Sequence, residues 1–290
     1  MPESMRLIRD RAIILRAVPF EDRHRVVTAI TETHGRISAL ARNSVQSRRF
    51  GGALDVFTAS EWQFAQRSEL AELVQLQEAR TLRSHEGLRA DFFRMAMASL
   101  FSELLLRVAP EREACVDLFK LHANALAALE ELTEQSPPIS FLNGYLAKLL
   151  QWSGNQPRLQ QCLGCARTLP SIWQEGNPSR LALIVQEAGW VCESCRRASV
   201  LHVRSRSEAQ GVEMLEVGAD AMADFFMSLV TPIRQVPATA HASDASHREL
   251  FRALEALLIY HVPGFDRLPL NSLKFLGLES SWQPPQDSRR

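Results

Sequence analysis

Four cysteines, Cys162, Cys165, Cys192 and Cys195, stand as two C-x-x-C pairs with 26 residues between the pairs. Four thiolates at such spacing can close a tetrahedral shell around one zinc ion. A shell of four sulfurs leaves no open position for water, so the predicted site, one Zn2+ per chain, is structural and not catalytic. Metal binding there would supply folding free energy on the order of 10 kcal/mol to a short, loop-rich segment. The competing chemistry is thiol–disulfide exchange. A redox C-x-x-C normally opens a helix inside a βαβ unit, and neither pair has that context. The fifth cysteine, Cys115, lies in an apolar helical pattern and reads as a buried structural thiol.

The second constellation is basic. Between Met5 and Phe50 ten arginines stand against four acids, Asp10, Glu21, Asp22 and Glu32, a local excess of +6 in a chain of net charge zero. The whole chain has three lysines, Lys120, Lys148 and Lys274, against thirty arginines. A GC-rich genome produces the same bias, but arginine forks also suit phosphate oxygens and stack on bases. Arg36 and Arg42 share parity on one predicted strand. Arg48 and Arg49 follow in a predicted loop with Ser44, Gln46, Ser47 and Gly51-Gly52. These four arginines are the candidate DNA-phosphate ligands; the competing reading is an ordinary solvated loop. Trp62 and Phe64 flank Gln63 on one strand, where they either stack on bases or fill a core.

Other residues carry less. His34, beside Gly35, reads as a turn residue, and Glu130-Glu131 as the solvated side of a helix. His85-Glu86 opens like H-E-x-x-H, but Arg89 stands where the second histidine is required. No P-loop, dinucleotide-binding G-x-G-x-x-G or G-x-S-x-G elbow is present. Nothing here assembles an acid/base or nucleophile set, and the chain is expected not to be an enzyme.

These residues must be positioned by a chain of 290 residues, long enough for more than one domain. Its apolar runs fall short of the roughly 18 residues of a membrane span, and the N-terminus lacks the apolar stretch of a secretory signal. A cytoplasmic protein with reduced thiols and no membrane partner is the expectation. Short β-branched runs at 11–18, 25–33, 36–42, 55–64 and 70–78 predict five strands. Five strands fit a small barrel of the OB type, and an SH3-like barrel on strand count alone. From Leu88 the apolar period lengthens to three or four residues, predicting helices over 88–108, 114–132 and 139–152, the second stopped near Glu134-Gln-Ser-Pro-Pro138. Helical patterns resume at 219–229 and 246–261. The predicted fold class is α+β and multidomain: an OB-fold β-barrel over 1–82, an all-α helical domain over 83–157 and 201–279, an inserted four-cysteine zinc-binding region over 158–200, and a loose tail at 280–290.

Taken in order, these segments resemble the RecO family of bacterial repair and recombination mediators. The resemblance runs through Ala12-Ile-Ile-Leu-Arg16, Phe20-Glu-Asp-Arg23, Val27-Thr28, His34-Gly-Arg-Ile-Ser-Ala-Leu-Ala-Arg42 and Arg48-Arg-Phe-Gly-Gly-Ala-Leu54. It continues at Gly154-Asn-Gln-Pro157, the cysteine pairs with Gly189-Trp-Val191, Tyr260-His261 and Leu273-Lys-Phe-Leu276. The resemblance implies an OB-fold, a helical domain and an inserted zinc-binding region. It implies binding of single- and double-stranded DNA and annealing of complementary strands, including strands covered by single-strand-binding protein. It further implies help, with RecR, in loading RecA, a functional link to RecF, and no nucleotide hydrolysis. The basic loop departs from the family in carrying arginines and no lysine. A zinc-ribbon adaptor acting mainly through protein contacts is the alternative.

Overall fold

A computed structural model describes residues 6–45, 47–66, 72–133, 137–176, 180–199, 213–263, 265 and 270–280. The tail at 281–290, Gln46 of the basic loop, the start of the strand expected from Leu70, the helix stop at 134–136 and the segment 201–212 lie outside the described residues. The chain forms two compact units, Met1–Pro137 with Leu270–Gly277, and Pro138–Pro269 with Leu278–Arg290.

In the first unit β1 (Arg6–Phe20), β2 (His24–Thr31), β3 (Gly35–Ala41), β4 (Ala59–Gln66) and β5 (Val74–Arg83) close a barrel in the order β1-β2-β3-β5-β4. All neighbours are antiparallel except β3 and β5, which run parallel. A parallel pair needs a crossover, so this is the Greek-key OB arrangement, which strand count alone did not separate from an SH3-like barrel. Period-2 alternation fills the interior: Val27 and Ala29 from β2, Ile37, Ala39 and Ala41 from β3, Trp62 and Phe64 from β4. Trp62 and Phe64 are 0% and 1% exposed, so they are core residues and cannot stack on bases. The alanines of β2 and β3 leave the room that these large rings take.

Between β3 and β4 a single 3-10 turn, Gly51–Leu54, drops Phe50, Ala53 and Leu54 into the same core. It delays β4 until Ala59, four residues after the expected start at Asp55. The β2–β3 turn rests on Asp10, a buried carboxylate that accepts from the Thr33 amide at 3.1 Å, the Thr33 hydroxyl at 2.8 Å and His34 Nδ1 at 2.7 Å. Gly35 must be glycine: its φ is +65°, and a Cβ would lie 2.0 Å from the Glu113 carbonyl oxygen.

The helical stripe from Leu88 is not one helix. It divides at Asp91 into α1 (Glu86–Ala90) and α2 (Phe92–Val108), because the Asp91 side chain accepts from the Arg94 amide at 2.8 Å and starts a new helix. Helix α3 (Val116–Glu131) follows. Glu130 on α3 is not on a solvated face. It accepts from Arg83 at 2.8 Å, His85 at 2.9 Å and the Gly87 amide at 3.1 Å, tying the end of β5 to α1 and α3. Burial alone would raise its carboxyl, but these donors hold it below the usual range.

The second unit has α4 (Ile139–Trp152), α5 (Leu169–Gly176), α6 (Glu193–Ser199), α7 (Ala219–Val230) and α8 (Asp244–His261). Helix α4 packs against α7 and α8. The helical expectation missed a three-stranded sheet, β7-β6-β8, made of β6 (Arg180–Ile184), β7 (Gly189–Val191) and β8 (Met214–Gly218). Strands of three to five residues leave too little periodicity to be read.

Candidate metal centre and basic barrel face

The first cysteine pair lies in a turn that is pinned to β7. The Leu163 amide donates to the Trp190 carbonyl at 2.9 Å, the Cys162 amide to Arg167 at 2.8 Å, and the Ala166 amide to Cys162 at 2.9 Å. Trp190 is fully buried, and its indole N–H donates to the Leu159 carbonyl at 2.9 Å. Strand β7 then delivers Cys192, and the first turn of α6 carries Cys195. Upstream, the Asn155 side chain donates to the His261 carbonyl at 3.2 Å, while His261 Nε2 meets the Val185 carbonyl at 2.7 Å. The Gly154-Asn-Gln-Pro157 and Tyr260-His261 segments thus secure the base of the cysteine region.

All four sulfurs lie within 4.8 Å of one another, with Cys165 and Cys192 Sγ 3.7 Å apart. A disulfide would need about 2.05 Å. A tetrahedron with metal–sulfur bonds of about 2.3 Å has edges of about 3.8 Å. The cluster therefore fits a tetrahedral metal ion. Cys162 and Cys192 are buried, while Cys165 is exposed. Donors already face the sulfurs: the Cys192 amide reaches Cys162 Sγ at 3.3 Å, and Arg167 reaches both Cys165 and Cys192 Sγ at 3.3 Å. Its hydrogen bond brings the Cys165 thiol down to about 6, whereas burial and the crowding of the other sulfurs push Cys195 up. A bound cation would remove that conflict by taking all four as thiolates. Gly164 makes the packing possible, since a Cβ there would lie 2.8 Å from Cys195 Sγ.

The expected DNA-contacting arginines occupy a different region. Arg36 and Arg42 keep the parity read from the sequence, on the outward side of β3 and just beyond its end. Arg36 is occupied: its Nε donates to the Ala109 carbonyl at 3.3 Å and its guanidinium is 3.7 Å from Glu111. Its backbone pairs with the 110–112 segment, accepting from the Arg112 amide at 3.1 Å and donating to Pro110 at 2.9 Å. Arg42 and Arg48 are exposed and have no ion-pair partner among the described residues. Arg49 folds onto its own loop, 3.3 Å from Ser47 Oγ and 5.6 Å from the Phe50 ring centroid.

Four exposed barrel arginines that the sequence reading did not single out, Arg9, Arg16, Arg23 and Arg80, are also without an ion-pair partner among the described residues. Arg167 was missed as well, although it lies only two residues past Cys165. The second unit contrasts with the barrel. There Arg180 pairs with Glu216 and Glu249 at 3.2 and 3.1 Å, Arg196 with Glu193 at 2.7 Å and with Glu216, and Arg197 with Glu193 at 2.8 Å. The barrel pairs Arg11 with Glu32 and Arg25 with Asp55 at 3.7 Å, and leaves Arg9, Arg16, Arg23, Arg42, Arg48, Arg49 and Arg80 without an ion-pair partner among the described residues. Among the described residues no helix is long and apolar enough to cross a membrane.

Comparison with known proteins agrees with this architecture. Residues 5–85 match a family model described as Recombination protein O N terminal, and residues 89–208 match Recombination protein O C terminal. A protein named DNA repair protein RecO from Desulfatibacillum aliphaticivorans is 30% identical over 185 residues, 63% of this chain and 69% of that protein. One of the same name from Anaeromyxobacter sp. (strain Fw109-5) is 27% identical over 263 residues, 90% of this chain and 93% of that one. A third, from Nocardioides sp. (strain ATCC BAA-499 / JS614), is 31% identical over 198 residues, covering 66% and 75%. An OB-type barrel with unmatched arginines, joined to helices and a four-cysteine cluster, is thus the framework of a DNA repair protein. The chain belongs to the RecO family.

Proposed function

We propose that this protein is a non-enzymatic DNA-binding mediator of homologous recombination and repair. It binds single- and double-stranded DNA through the barrel, anneals complementary strands, and acts on strands covered by single-strand-binding protein. With RecR it assists loading of RecA, in a pathway that includes RecF. The observation that carries this reading is the set of exposed barrel arginines without an ion-pair partner among the described residues, Arg9, Arg16, Arg23, Arg42, Arg48, Arg49 and Arg80. Annealing requires that the charge of two strands be neutralised while their bases stay free to pair. Arginine–phosphate contacts meet that need without reading sequence. Arg36, Arg42, Arg48 and Arg49 remain the proposed phosphate ligands, with Arg36 the most constrained by protein contacts.

The ion proposed for Cys162, Cys165, Cys192 and Cys195 is Zn2+, which takes four thiolates in tetrahedral geometry without redox chemistry. Its work is to hold the 158–200 insertion together, since a full shell binds no substrate. The cell compartment proposed is the bacterial cytoplasm, at the nucleoid.

The test is the annealing of complementary oligonucleotides precoated with single-strand-binding protein, with and without RecR. Acceleration over the uncatalysed pairing is expected. A protein that speeds pairing of neither coated nor bare strands is no annealing mediator, and the zinc-ribbon adaptor would replace this reading.

A further inference from the structure

Strand β1 contains an irregularity that changes what the barrel presents to solvent. Its pairing with β2 runs Ile14 with Ala29 and then Arg16 with Thr28, so Leu15 is an extra residue on β1. Before this bulge the even-numbered residues Ala12 and Ile14 point into the barrel core. Beyond it Ala17 packs on the core, and the even-numbered Arg16, Val18 and Phe20 face outward.

The register then lays out rows across β1, β2 and β3. Phe20 is opposite His24, at the end that continues to Arg42. Val18 is opposite Val26, and Val26 opposite Leu40. Arg16 is opposite Thr28, and Thr28 opposite Ser38, their hydroxyls 3.0 Å apart. An apolar strip therefore runs over three strands, with Arg16 at one border and, at the other, Arg42 and the β1–β2 turn, which carries Arg23 beside the exposed Glu21 and Asp22, Glu21 lying 3.4 Å from His24 Nε2. Phe20 is 44% exposed and Val18 37%. His24 is held at the strip's end, its Nδ1 accepting from the Asn43 amide at 2.8 Å.

We infer that this strip is a base-contacting surface for single-stranded nucleic acid, with Phe20 as the stacking residue. The inference rests on the DNA-binding role proposed above and adds to it the part of the polymer that is held. An exposed ring bordered by unpaired cations matches a chain that alternates π faces with phosphates. Rows on one strand repeat about every 7 Å and strands lie about 4.8 Å apart, so the strip has room for roughly two splayed bases. Duplex DNA offers no free base faces, so Phe20 contributes to single-strand binding alone. This surface takes over the role that Trp62 and Phe64, buried inside the barrel, cannot fill.

The experiment compares wild-type protein with Phe20→Ala and Phe20→Trp on three probes of equal length: a single-stranded oligonucleotide, its abasic counterpart and a duplex. Phe20→Ala is expected to weaken single-strand binding about tenfold. Its binding to the abasic strand and the duplex should stay within about twofold, with an unchanged salt slope because no phosphate contact is lost. Phe20→Trp should restore affinity and show indole quenching by the normal strand but not by the abasic one. Equal losses on all three probes, or wild-type affinity in Phe20→Ala with an unquenched Phe20→Trp, overturn the base contact and leave DNA binding intact. Wild-type protein that binds none of the probes overturns the proposed function and this inference together.

Discussion

Substitution of Gly164 by alanine tests the metal centre with one methyl group. The new Cβ would stand 2.8 Å from Cys195 Sγ and 3.0 Å from Cys195 Cβ, where ordinary contact begins at 3.4 Å. The sulfur must therefore retreat by about 0.6 Å, three times the roughly 0.2 Å tolerance of a metal–ligand distance. Neither neighbour can absorb the shift, because the Cys162 turn is bonded to Trp190 and Cys195 sits in the first turn of α6. Disturbances that act on a ligand from outside the shell typically cost about 10- to 100-fold in metal affinity. Competition against a colorimetric zinc chelator should show that loss. The thermal midpoint of Gly164→Ala with zinc should fall towards that of chelator-treated wild-type protein. Gly52→Ala is the control, since its Cβ would meet nothing closer than Asp55 Oδ2 at 3.6 Å. Zinc affinity in Gly164→Ala within threefold of wild type would refute the reasoning, as would a midpoint insensitive to chelator in both proteins.

Two further outcomes concern the arginines. The triple variant Arg42→Ala/Arg48→Ala/Arg49→Ala should reduce the log–log salt slope of single-strand binding by about 2, at roughly 0.7 per lost phosphate contact. Arg36→Ala, whose guanidinium is also held by Ala109 and Glu111, should lower the salt slope by about a further 0.7 and in addition cost about 1 kcal/mol of stability in urea melts. Another outcome concerns pH. Burial lowers the fully buried His122 to about 3, below its ordinary 6.5, so between those values the unfolded chain binds a proton that the folded one does not. Stability contributed by neutral His122 is complete above pH 6.5 and declines as pH falls, by about 2 kcal/mol at pH 5. Urea midpoints measured from pH 8 to 5 should be flatter for His122→Leu than for wild type; parallel curves would contradict this.

The legible parts of the sequence were those whose signal is local. C-x-x-C spacing brought four sulfurs together because each pair lies in a single turn. Helix α4 was read at its observed limits, Ile139–Trp152, because paired prolines precede it and Ser153-Gly154 closes it. What escaped depended on partners far along the chain. The outward turn of Phe20 depends on one extra residue in pairing with β2, which strict alternation along β1 hides. The role of Glu130 needed β5 and α1 beside α3. Trp62 and Phe64 carried a pattern that fits both an exposed and a buried face, and only closure of the barrel decided it.

The pairing of Arg36 with the 110–112 segment has a consequence for where the barrel ends. Strand β5 reaches β3 only over Ala39–Ala41, so the first part of β3 would otherwise present free amide and carbonyl groups. The segment that pairs with the Arg36 amide and carbonyl, a single bridge at Glu111, comes from beyond α2, well past the residue-85 limit of the N-terminal family match. A chain cut at that limit would keep all five strands but open a raw sheet edge, the kind that recruits other chains. The β3 edge is thus completed by the turn after α2, inside the same compact unit, Met1–Pro137 with Leu270–Gly277.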